Sequence, residues 1–452
     1  MKSLPKACVI GAGSSGLSTI KALKVAGVPF DCFDKSDDIG GNWYLDNPNG
    51  MSSAYKTLQI NTSKARMQYS DFPMREEWPE FCHHSHVLQY FHDYCDHFGL
   101  REHISFNTGV QHCERTDDGL WRITLDTGET RLYDALVVCN GHHWDPRWPE
   151  PPFEGEFTGE LLHSHYFKTA EPWRDKTIVL VGIGNSAMDI AVEASYLCKE
   201  VYLSARRGAH IVPRYIWGKP LDARPLPHWA PVWMMQAVLG LMLRVQIGPV
   251  ENYGLPKPDH KIGEAHPTVS STILDRVAAG AVIPKPNIKE LKGDTIAFVD
   301  GSEVKADVLV YCTGYKVSFP FFDPEFLSAP NNDLPLFLRW VKPELPGLFF
   351  VGLYQPLGAI FPIAEQQGVM IADCLSGRYH LPTQAEMEAA ITREREKMFK
   401  RYVKSIRHTM QVDFDPFMHA LRKEHAKGQK RAQAANNAPQ IPARSEVGHA
   451  EV

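Results

Sequence analysis

The stretch Ala7-Cys8-Val9-Ile10-Gly11-Ala12-Gly13-Ser14-Ser15-Gly16 decides the fold predicted for this chain. A short apolar run passes directly into glycines spaced GxGxxG, and the apolar positions of residues 17–25 have helical spacing. A second apolar run, residues 28–33, ends in Asp34. The glycines permit a tight turn and a close approach of the backbone to a pyrophosphate, and the acid can accept hydrogen bonds from a ribose. The stretch therefore predicts a dinucleotide site, with a fortuitous glycine turn as the alternative.

A second unit of the same kind covers residues 177–207. An apolar strand leads into Gly182-Ile183-Gly184-Asn185-Ser186-Ala187, followed by a predicted helix and a second strand. Where the first unit ends in an acid, this one ends in Ser204-Ala205-Arg206-Arg207. Two guanidiniums can pair with a 2′-phosphate that a carboxylate would repel, so this unit predicts a preference for NADPH over NADH. Ordinary surface arginines are the alternative interpretation.

Together the two units predict an α/β fold with two dinucleotide-binding, Rossmann-like domains. The apolar runs 134–141 and 307–315 are similar, which predicts that each domain has a strand that returns to its own glycine turn. We expect a first domain, residues 1–156 and 321–380, to be interrupted by the second domain, residues 157–320.

Three further segments carry predictions. Residues 104–110 have the pattern of one strand. The apolar stretch 229–250, within an insertion around 215–270, has an uninterrupted apolar part shorter than the roughly 20 residues that span a bilayer. We predict a buried or pocket-covering helix there, with attachment to a membrane surface as the alternative. Residues 381–452 are predicted to form a charged helix, roughly 384–404, and then a disordered polar tail after Glu424.

Composition narrows the classes of function. The formal net charge is −5 and the predicted ordered part has no long basic run, which argues against a nucleic-acid surface. The nine cysteines never have CxxC spacing, which predicts free thiols in a reducing compartment. No signal peptide fits before the first strand, so the cytoplasm is the expected location. No transmembrane segment is predicted, because the apolar stretch 229–250 is interrupted. His83, His84 and His86 lack a second ligand cluster of suitable spacing, so no metal site is predicted.

The chemistry follows from the pairing of two different sites. A site that reads a ribose beside a site for a 2′-phosphate suggests FAD and NADPH, with electrons passing between them. A disulfide reductase would need a CxxC pair, and a metal or haem acceptor would need ligands that the sequence does not show. Molecular oxygen is the acceptor that remains, which makes a monooxygenase the leading class.

The segment Phe157-x-Gly159-xxx-His163-xxx-Phe167 resembles the identifying motif of the class B flavin-containing monooxygenases. The resemblance extends over the chain to about residue 380. In the related Baeyer–Villiger group the last position is Trp followed by Pro or Asp, whereas Phe167 here precedes Lys168. This departure favours oxygenation of nitrogen or sulfur, and ketone oxidation stays open.

The resemblance also implies which residues hold the cofactors. At FAD it implies Gly11, Ala12, Gly13, Ser14, Ser15, Gly16, Asp34, Lys35, Asn42, Trp43, Asn61, Thr62 and Gln367. At NADPH it implies Ile60, Gly182, Gly184, Asn185, Ser186, Ala187, Ser204, Arg206, Arg207 and Thr313. Asn61 falls on the active-site asparagine of the family and is the candidate catalytic residue; without the resemblance, residues 58–63 read only as a polar turn.

The mechanism that the resemblance implies has three stages. NADPH reduces FAD, the reduced flavin takes up O2 as a C4a-hydroperoxide, and a soft nucleophile of a small molecule is then oxygenated. The Asn61 amide would supply fixed hydrogen-bond donors between flavin and nicotinamide. A homodimer is a family-level expectation. Three alternatives stay open: a Baeyer–Villiger ketone oxygenase, an NADPH oxidase that releases hydrogen peroxide, and a non-catalytic FAD/NADPH redox sensor.

Overall fold

Two five-stranded parallel sheets form the frame of the molecule, in a computed structural model that describes residues 3–223, 231–402 and 409–444. Apolar runs too short for a helix form the strands, and longer stretches of helical spacing connect them. The elements of the first part of the chain are β1 (Ala7–Ile10), α1 (Ser14–Ala26), β2 (Phe30–Phe33), α2 (Lys64–Met67), α3 (His84–His97), β3 (Ile104–Ser105), β4 (Val110–Arg115), β5 (Trp121–Leu125), β6 (Thr130–Tyr133), β7 (Ala135–Val138) and β8 (Asp145–Pro146).

The middle of the chain contains the second glycine turn and a long insertion. Its elements are β9 (Glu154–Phe157), β10 (Glu160–His163), β11 (Thr177–Val181), α4 (Asn185–Ala194), β12 (Glu200–Ser204), β13 (Ile211–Val212), β14 (Tyr215–Ile216), β15 (Lys219–Pro220), α5 (Val232–Gln246), β16 (Thr268–Val269), α6 (Ile273–Ala278), β17 (Ile283–Lys285), β18 (Ile288–Gly293), β19 (Thr295–Phe298), β20 (Glu303–Lys305), β21 (Val308–Tyr311) and β22 (Tyr315–Lys316).

The last part of the chain is mainly helical. Its elements are β23 (Leu348–Phe350), β24 (Gln355–Leu357), α7 (Phe361–Leu375), α8 (Gln384–Arg401), β25 (Gln411–Asp413) and α9 (Phe414–Ala434). Helices α1 and α7 pack closely, since a Cβ built on Gly368 would lie 3.0 Å from the Cα of Thr19.

The strand order shows that the second unit is inserted into the first. The first sheet has the order β23-β7-β1-β2-β3, and the second has the order β10-β21-β11-β12-β17. Every strand of the second sheet lies between residues 160 and 311, whereas the first sheet takes strands from both sides of that segment. The predicted fold class is therefore confirmed.

Each sheet contains the predicted returning strand. Strand β7 pairs in parallel with β1, and β21 pairs in parallel with β11. Each strand delivers a carbonyl to its own glycine turn: a Cβ built on Gly11 would lie 2.7 Å from the oxygen of Cys139, and one on Gly182 would lie 2.6 Å from the oxygen of Cys312. Both glycines have positive φ, +101° and +133°, so the two turns need glycine for conformation and for space.

Residues 104–110 form two strands and not one. Strand β3 joins the edge of the first sheet beside β2, whereas β4 begins the separate three-stranded sheet β4-β5-β6. Asn107 between them has a φ of +50°, which no strand residue adopts, so the chain turns there and changes sheets.

The predicted polar tail is ordered as far as the structure describes it. Helix α9 runs through Glu424 to Ala434, and beyond Glu424 the residues Gly428, Ala432 and Ile441 are buried. The prediction of disorder there was wrong because the helix is packed through small residues, Ala432 and Gly428, the latter against the ring of Tyr379, which a polar composition does not reveal. Residues 445–452 lie outside the described part of the chain.

Helix α5 also differs from its prediction, because one side of it faces solvent. Trp233, Leu241 and Val245 are 69%, 63% and 67% exposed, and Leu243 on the other side is buried beside Val212. A helix that is apolar all round gives no sequence signal for which side is covered. Residues 229 and 230 of this stretch lie outside the described residues. Within the described ranges, no helix combines the length and apolar character needed to cross a bilayer.

Candidate active site

The first glycine turn has an open helix N-terminus at its centre. A Cβ on Gly16 would lie 1.8 Å from the carbonyl oxygen of Gly11, so only glycine lets α1 start this close to β1. Gly13 faces the second glycine pair of the sequence, since a Cβ on Gly41 would lie 3.1 Å from the Cα of Gly13. No side chain caps α1 in the described structure, which leaves N–H groups of its first turn available for a phosphate.

Asp34 closes this turn from the side of β2. Its carboxylate accepts hydrogen bonds from the backbone N–H of Ala12 (2.6 Å) and of Ser36 (2.8 Å). Burial raises the pKa of Asp34, although both N–H groups act in the opposite direction. The predicted ribose acid therefore also holds the glycine turn, and each of its oxygens keeps a lone pair for a hydroxyl. Lys35 beside it is exposed.

The other residues expected at FAD lie around this turn. The side-chain oxygen of Asn42 accepts hydrogen bonds from both the N–H and the hydroxyl of Ser53, each at 2.8 Å. The Trp43 ring packs edge-on against the ring of Phe361. Gln367 is fully buried on α7. Its amide accepts the Gly352 N–H at 3.2 Å and contacts two backbone carbonyls at 3.4 Å, so its polar atoms already have protein partners.

The second glycine turn is braced by β16. The Asn185 side chain accepts the Val269 N–H at 2.8 Å, and the Thr268 hydroxyl donates to the Ile183 carbonyl at 2.7 Å. Among the described residues no side chain caps α4, while Ala187 is fully buried in the adjoining core. The turn therefore presents a second uncapped helix N-terminus to an anion.

The residues at the end of β12 differ in what they are free to bind. Ser204 is buried, and its hydroxyl donates to the Pro286 carbonyl at 2.8 Å. Arg206 and Arg207 are both exposed. Arg207 lies 3.5 Å from an oxygen of Asp259, whereas Arg206 has no carboxylate within ion-pair distance among the described residues. Arg206 is thus the less engaged of the two predicted 2′-phosphate ligands.

The segment around Asn61 crosses from one core to the other. Tyr55 is buried in the core of the second unit, and Ile60 is buried in the core of the first. The backbone N–H of Ile60 donates to Cys82 and that of His84 donates to Leu58, both at 2.9 Å. The histidine cluster thus has a structural role, because it pairs with the segment that leads to Asn61. Within the described ranges, no group of His, Cys, Asp and Glu side chains has the arrangement of a metal site.

The second unit holds this crossing segment at several points. The Tyr55 hydroxyl donates to Asp189 of α4 at 2.6 Å, and the Thr57 hydroxyl donates to Glu193 of α4 at 2.6 Å. Lys168, which follows the motif phenylalanine, donates to the carbonyls of Ser52 (2.8 Å) and Ala54 (2.9 Å). The structure therefore brings Asn61, which follows this segment, to the junction of the two units.

Thr62 and Thr313 were also expected to line the site. Thr62 is buried next to Asn61. The Thr313 hydroxyl donates to the carbonyl of Arg147, so its oxygen keeps lone pairs but its proton is engaged.

Two residues at this junction were not predicted from the sequence. The Arg214 guanidinium contacts the amide oxygens of Gln59 and Asn61, and Asp222 accepts the Ser63 N–H at 2.7 Å. Both belong to the insertion, more than 150 positions along the chain from their partners. No local pattern marks them, because only the closed fold brings them to Asn61.

Comparisons with known proteins point to one family. Residues 5–430 match the family described as flavin-binding monooxygenase-like. The chain belongs to this family. Flavin-containing monooxygenase 5 of Cavia porcellus is 39% identical over 429 residues, which are 90% of this chain and 80% of the relative. Dimethylaniline monooxygenase [N-oxide-forming] 2 of Macaca mulatta is 32% identical over 443 residues, 92% of this chain and 82% of the relative.

Solved structures show the same fold at lower identity. S-allyl-L-cysteine S-oxygenase from Allium sativum superposes with a TM-score of 0.71 and 24% identity, over 98% of this chain and 95% of that one. Oxidized steroid monooxygenase bound to NADP superposes with a TM-score of 0.71 and 18% identity, over 94% of this chain and 98% of that one. As a member of the flavin monooxygenase family, the protein is an oxidoreductase that uses FAD, NADPH and O2.

Proposed function

We propose that this flavin monooxygenase oxygenates the nitrogen or sulfur atom of a small molecule. In this proposal the side-chain amide of Asn61 donates hydrogen bonds that support the oxygenation step. The observation that carries the proposal is the position of Asn61 at the junction of the two units, directly after a segment anchored in both cores. FAD and NADPH, when bound, supply the redox chemistry. The protein orients them, excludes water and provides fixed donors.

The proposed cofactor sites follow the two glycine turns. The uncapped N-termini of α1 and α4 would each bind a pyrophosphate, Asp34 would accept the ribose hydroxyls of FAD, and Arg206 would pair with the 2′-phosphate of NADPH. Ala12, Asn42 and Trp43 would line the FAD site, and Asn185 and Ser186 the NADPH site.

The Phe167-Lys168 pair supports oxygenation of a heteroatom over ketone oxidation. Phe167 is buried between the rings of Tyr55 (5.8 Å) and Trp173 (5.2 Å), and Lys168 is held by two backbone carbonyls. Both residues that depart from the Baeyer–Villiger pattern are thus built into the junction. A relative 32% identical carries the name N-oxide-forming, which supports an amine as one substrate class.

Product analysis with three substrates tests the proposal. The purified holoenzyme is given NADPH and, in separate reactions, a tertiary amine, a thioether and cyclohexanone. We expect N-oxide or sulfoxide in proportion to the NADPH consumed. Lactone as the main product would establish the Baeyer–Villiger alternative. Peroxide equal to the NADPH consumed in all three reactions would establish an oxidase, and no NADPH consumption at all would favour a sensor.

Substitution of Asn61 tests its role separately. In Asn61→Ala and Asn61→Asp we expect NADPH to bleach the flavin without oxygen at nearly the rate of the wild type, because hydride transfer does not need the amide. Oxygenated product per NADPH should fall about tenfold, the loss expected when one positioned donor is removed at a reacting centre. Unchanged product yield in both variants would contradict this role.

We also propose a reducing, cytoplasmic location, supported by nine cysteines that are all free thiols. A homodimer stays a prediction from the family, and light scattering of the purified protein tests it.

A further inference from the structure

We propose that Arg214 is a positioning residue that fixes the orientation of the Asn61 side-chain amide and so presents its N–H2 group to the cofactors. This inference deepens the proposed function and rests on the role of Asn61 in it. It concerns a residue of the insertion that no sequence motif marks.

The backbone of Arg214 is held in place on both sides. Its N–H donates to the hydroxyl of Ser271 at 3.1 Å, and its carbonyl accepts the Leu221 N–H at 2.9 Å. The second bond closes the short hairpin formed by β14 and β15. The side chain leaves this hairpin towards the first unit, where its guanidinium lies 5.5 Å from the centre of the Phe81 ring. Arg214 is therefore a fixed point and not a mobile surface arginine.

The guanidinium reaches both amides that flank Ile60. One terminal nitrogen donates to the Gln59 side-chain oxygen, and the other lies 3.5 Å from the side-chain oxygen of Asn61. An arginine carries five donors and no acceptor. An amide next to it must turn its oxygen towards the guanidinium, because its N–H2 group would meet another donor.

The orientation of the Asn61 amide decides whether a donor or an acceptor faces away from Arg214. With the oxygen facing Arg214, the N–H2 group points away, and no hydrogen-bond partner of this group is found among the described residues. A donor pair held in this way needs no reorganisation when negative charge develops on an oxygen beside it. Without Arg214 the amide could rotate and present its oxygen, an acceptor, to the same place.

The groups around Arg214 indicate a role other than forming an ion pair. In the described part of the chain no carboxylate lies within ion-pair distance, so its direct partners are two neutral amides. Its Nε is buried without a partner there. Burial raises the pKa of Asp189, and the charge of Arg214 acts against this shift. In the described part of the chain the guanidinium is therefore held by neutral amides and an aromatic ring and not by a salt bridge, which agrees with a positioning role.

The 3-10 turn Leu221–Ala223, which follows the hairpin of β14 and β15, contacts the chain on the other side of Asn61. Asp222 accepts the backbone N–H of Ser63 at 2.7 Å. Two residues of the insertion, Arg214 and Asp222, thus form hydrogen bonds with residues 59–63 on either side of Asn61. Arg214 acts on the side chains and Asp222 acts on the backbone, so a variant of Arg214 changes the amide and leaves the backbone contact.

A double-mutant cycle on the holoenzyme tests the proposal. The variants are Arg214→Gln, Asn61→Ala and the two combined, with Arg214→Lys as the conservative change. Arg122→Gln is the matched control, because Arg122 is a half-exposed arginine paired with Glu114 on the surface of the three-stranded sheet. Five quantities are measured: product per NADPH, peroxide per NADPH, the shift of the flavin absorbance spectrum on addition of NADP, FAD content, and Tm.

We expect Arg214→Gln to lower product per NADPH about tenfold, the effect of one lost hydrogen bond to a charged group, with peroxide rising accordingly. The double variant should be no worse than Asn61→Ala, since Arg214 acts through that amide. The NADP-induced spectral shift should change in Arg214→Gln and be partly restored in Arg214→Lys. FAD content should equal that of Arg122→Gln, and any fall in Tm should not track the spectral change.

Additive losses in the double variant would overturn the proposal, because Arg214 would then act independently of Asn61. A lower FAD content and Tm that account for the whole loss of product would also overturn it and assign Arg214 a purely structural role. If the wild type oxygenates neither amines nor sulfides, the proposed function fails instead. The spectral shift still decides the position of the amide in that case, since it needs no substrate.

Discussion

At the residue scale, Asp34 and Arg206 show how far single side chains are committed to the fold before a cofactor binds. Asp34 already holds two backbone N–H groups, and one of them belongs to the glycine turn itself. Arg206 is exposed and makes no ion pair within the described ranges, unlike its neighbour Arg207. The two residues should therefore respond differently to substitution.

Asp34→Asn should weaken FAD binding by about tenfold or more, because one carboxylate oxygen becomes an N–H2 group facing a backbone donor. Fluorescence titration of the apoprotein with FAD measures this, with the exposed Asp37→Asn as control. Acid should act in the same direction. Burial raises the pKa of Asp34 above 3.8, so on acidification its carboxylate takes up a proton at a higher pH than an ordinary aspartate does. The release of FAD should begin at that higher pH. An unchanged affinity in Asp34→Asn would contradict the prediction.

Arg206→Ala should raise the KM for NADPH by about tenfold or more, the effect of losing a charge-assisted hydrogen bond to a phosphate, and leave the KM for NADH unchanged. Arg207→Ala should have a smaller effect, because Arg207 is shared with Asp259. Steady-state kinetics with both nucleotides measures the two variants. Equal losses with NADH would show that the arginines do not read the 2′-phosphate.

At the element scale, the packing of helices α5 and α9 could not be read from their sequences. Helix α5 is apolar but leaves one side in solvent, whereas α9 is charged but buries Phe414, Phe417 and Leu421. Each helix contains one glycine, and the surroundings of the two glycines are opposite. A Cβ on Gly428 of α9 would lie 2.0 Å from the ring of the fully buried Tyr379, and one on Gly240 of α5 would meet no atom within 4 Å.

Gly428→Ala should therefore destabilise the protein by about 1–3 kcal/mol, the usual cost of overpacking a core. Gly240→Ala should stabilise α5 by about 0.5–1 kcal/mol, because alanine has the higher helix propensity and nothing obstructs it. Chemical denaturation of the two variants measures both changes. Equal stability of Gly428→Ala and the wild type would mean that α9 packs less closely than the structure shows.

At the scale of the whole molecule, residues 50–63 and the motif that ends at Phe167 join the two units. Lys168 contributes two hydrogen bonds to this junction, since its ammonium donates to the carbonyls of Ser52 and Ala54. Lys176, eight residues along the chain, is about 40% exposed, and among the described residues its ammonium makes one ion pair, 3.5 Å from Glu160. Comparing substitutions at the two lysines therefore separates the loss of the junction contacts from the loss of a positive charge.

Lys168→Ala should lower the free energy of unfolding by about 1–3 kcal/mol, because two partly buried carbonyls lose their charged donor. Lys176→Ala should change it by less than about 0.5 kcal/mol. Calorimetry of both variants compares them. The prediction fails if the two variants unfold at the same temperature.

Part of the site was accessible from sequence because its signals are local. GxGxxG after a strand, the acid at the end of β2 and the arginines after β12 lie within about thirty residues of one another in each unit, so periodicity and spacing predict how they meet. Asn61 was reached only through a family resemblance, since a polar turn by itself has no chemical signature. Arg214 and Asp222 were missed, because their contacts with residues 59–63 need both units to be closed.

The sequence by itself determined the two glycine turns, the strands that return to them and the insertion of one unit into the other. Glycine spacing and the length of apolar runs act within single strands and helices, where local sterics and hydrogen bonding decide the outcome. Only the tertiary structure decided that α9 is packed, that α5 has an open side, and that Arg214 lies against Asn61. These features depend on which surfaces remain uncovered after the whole chain has folded, and no local pattern carries that information.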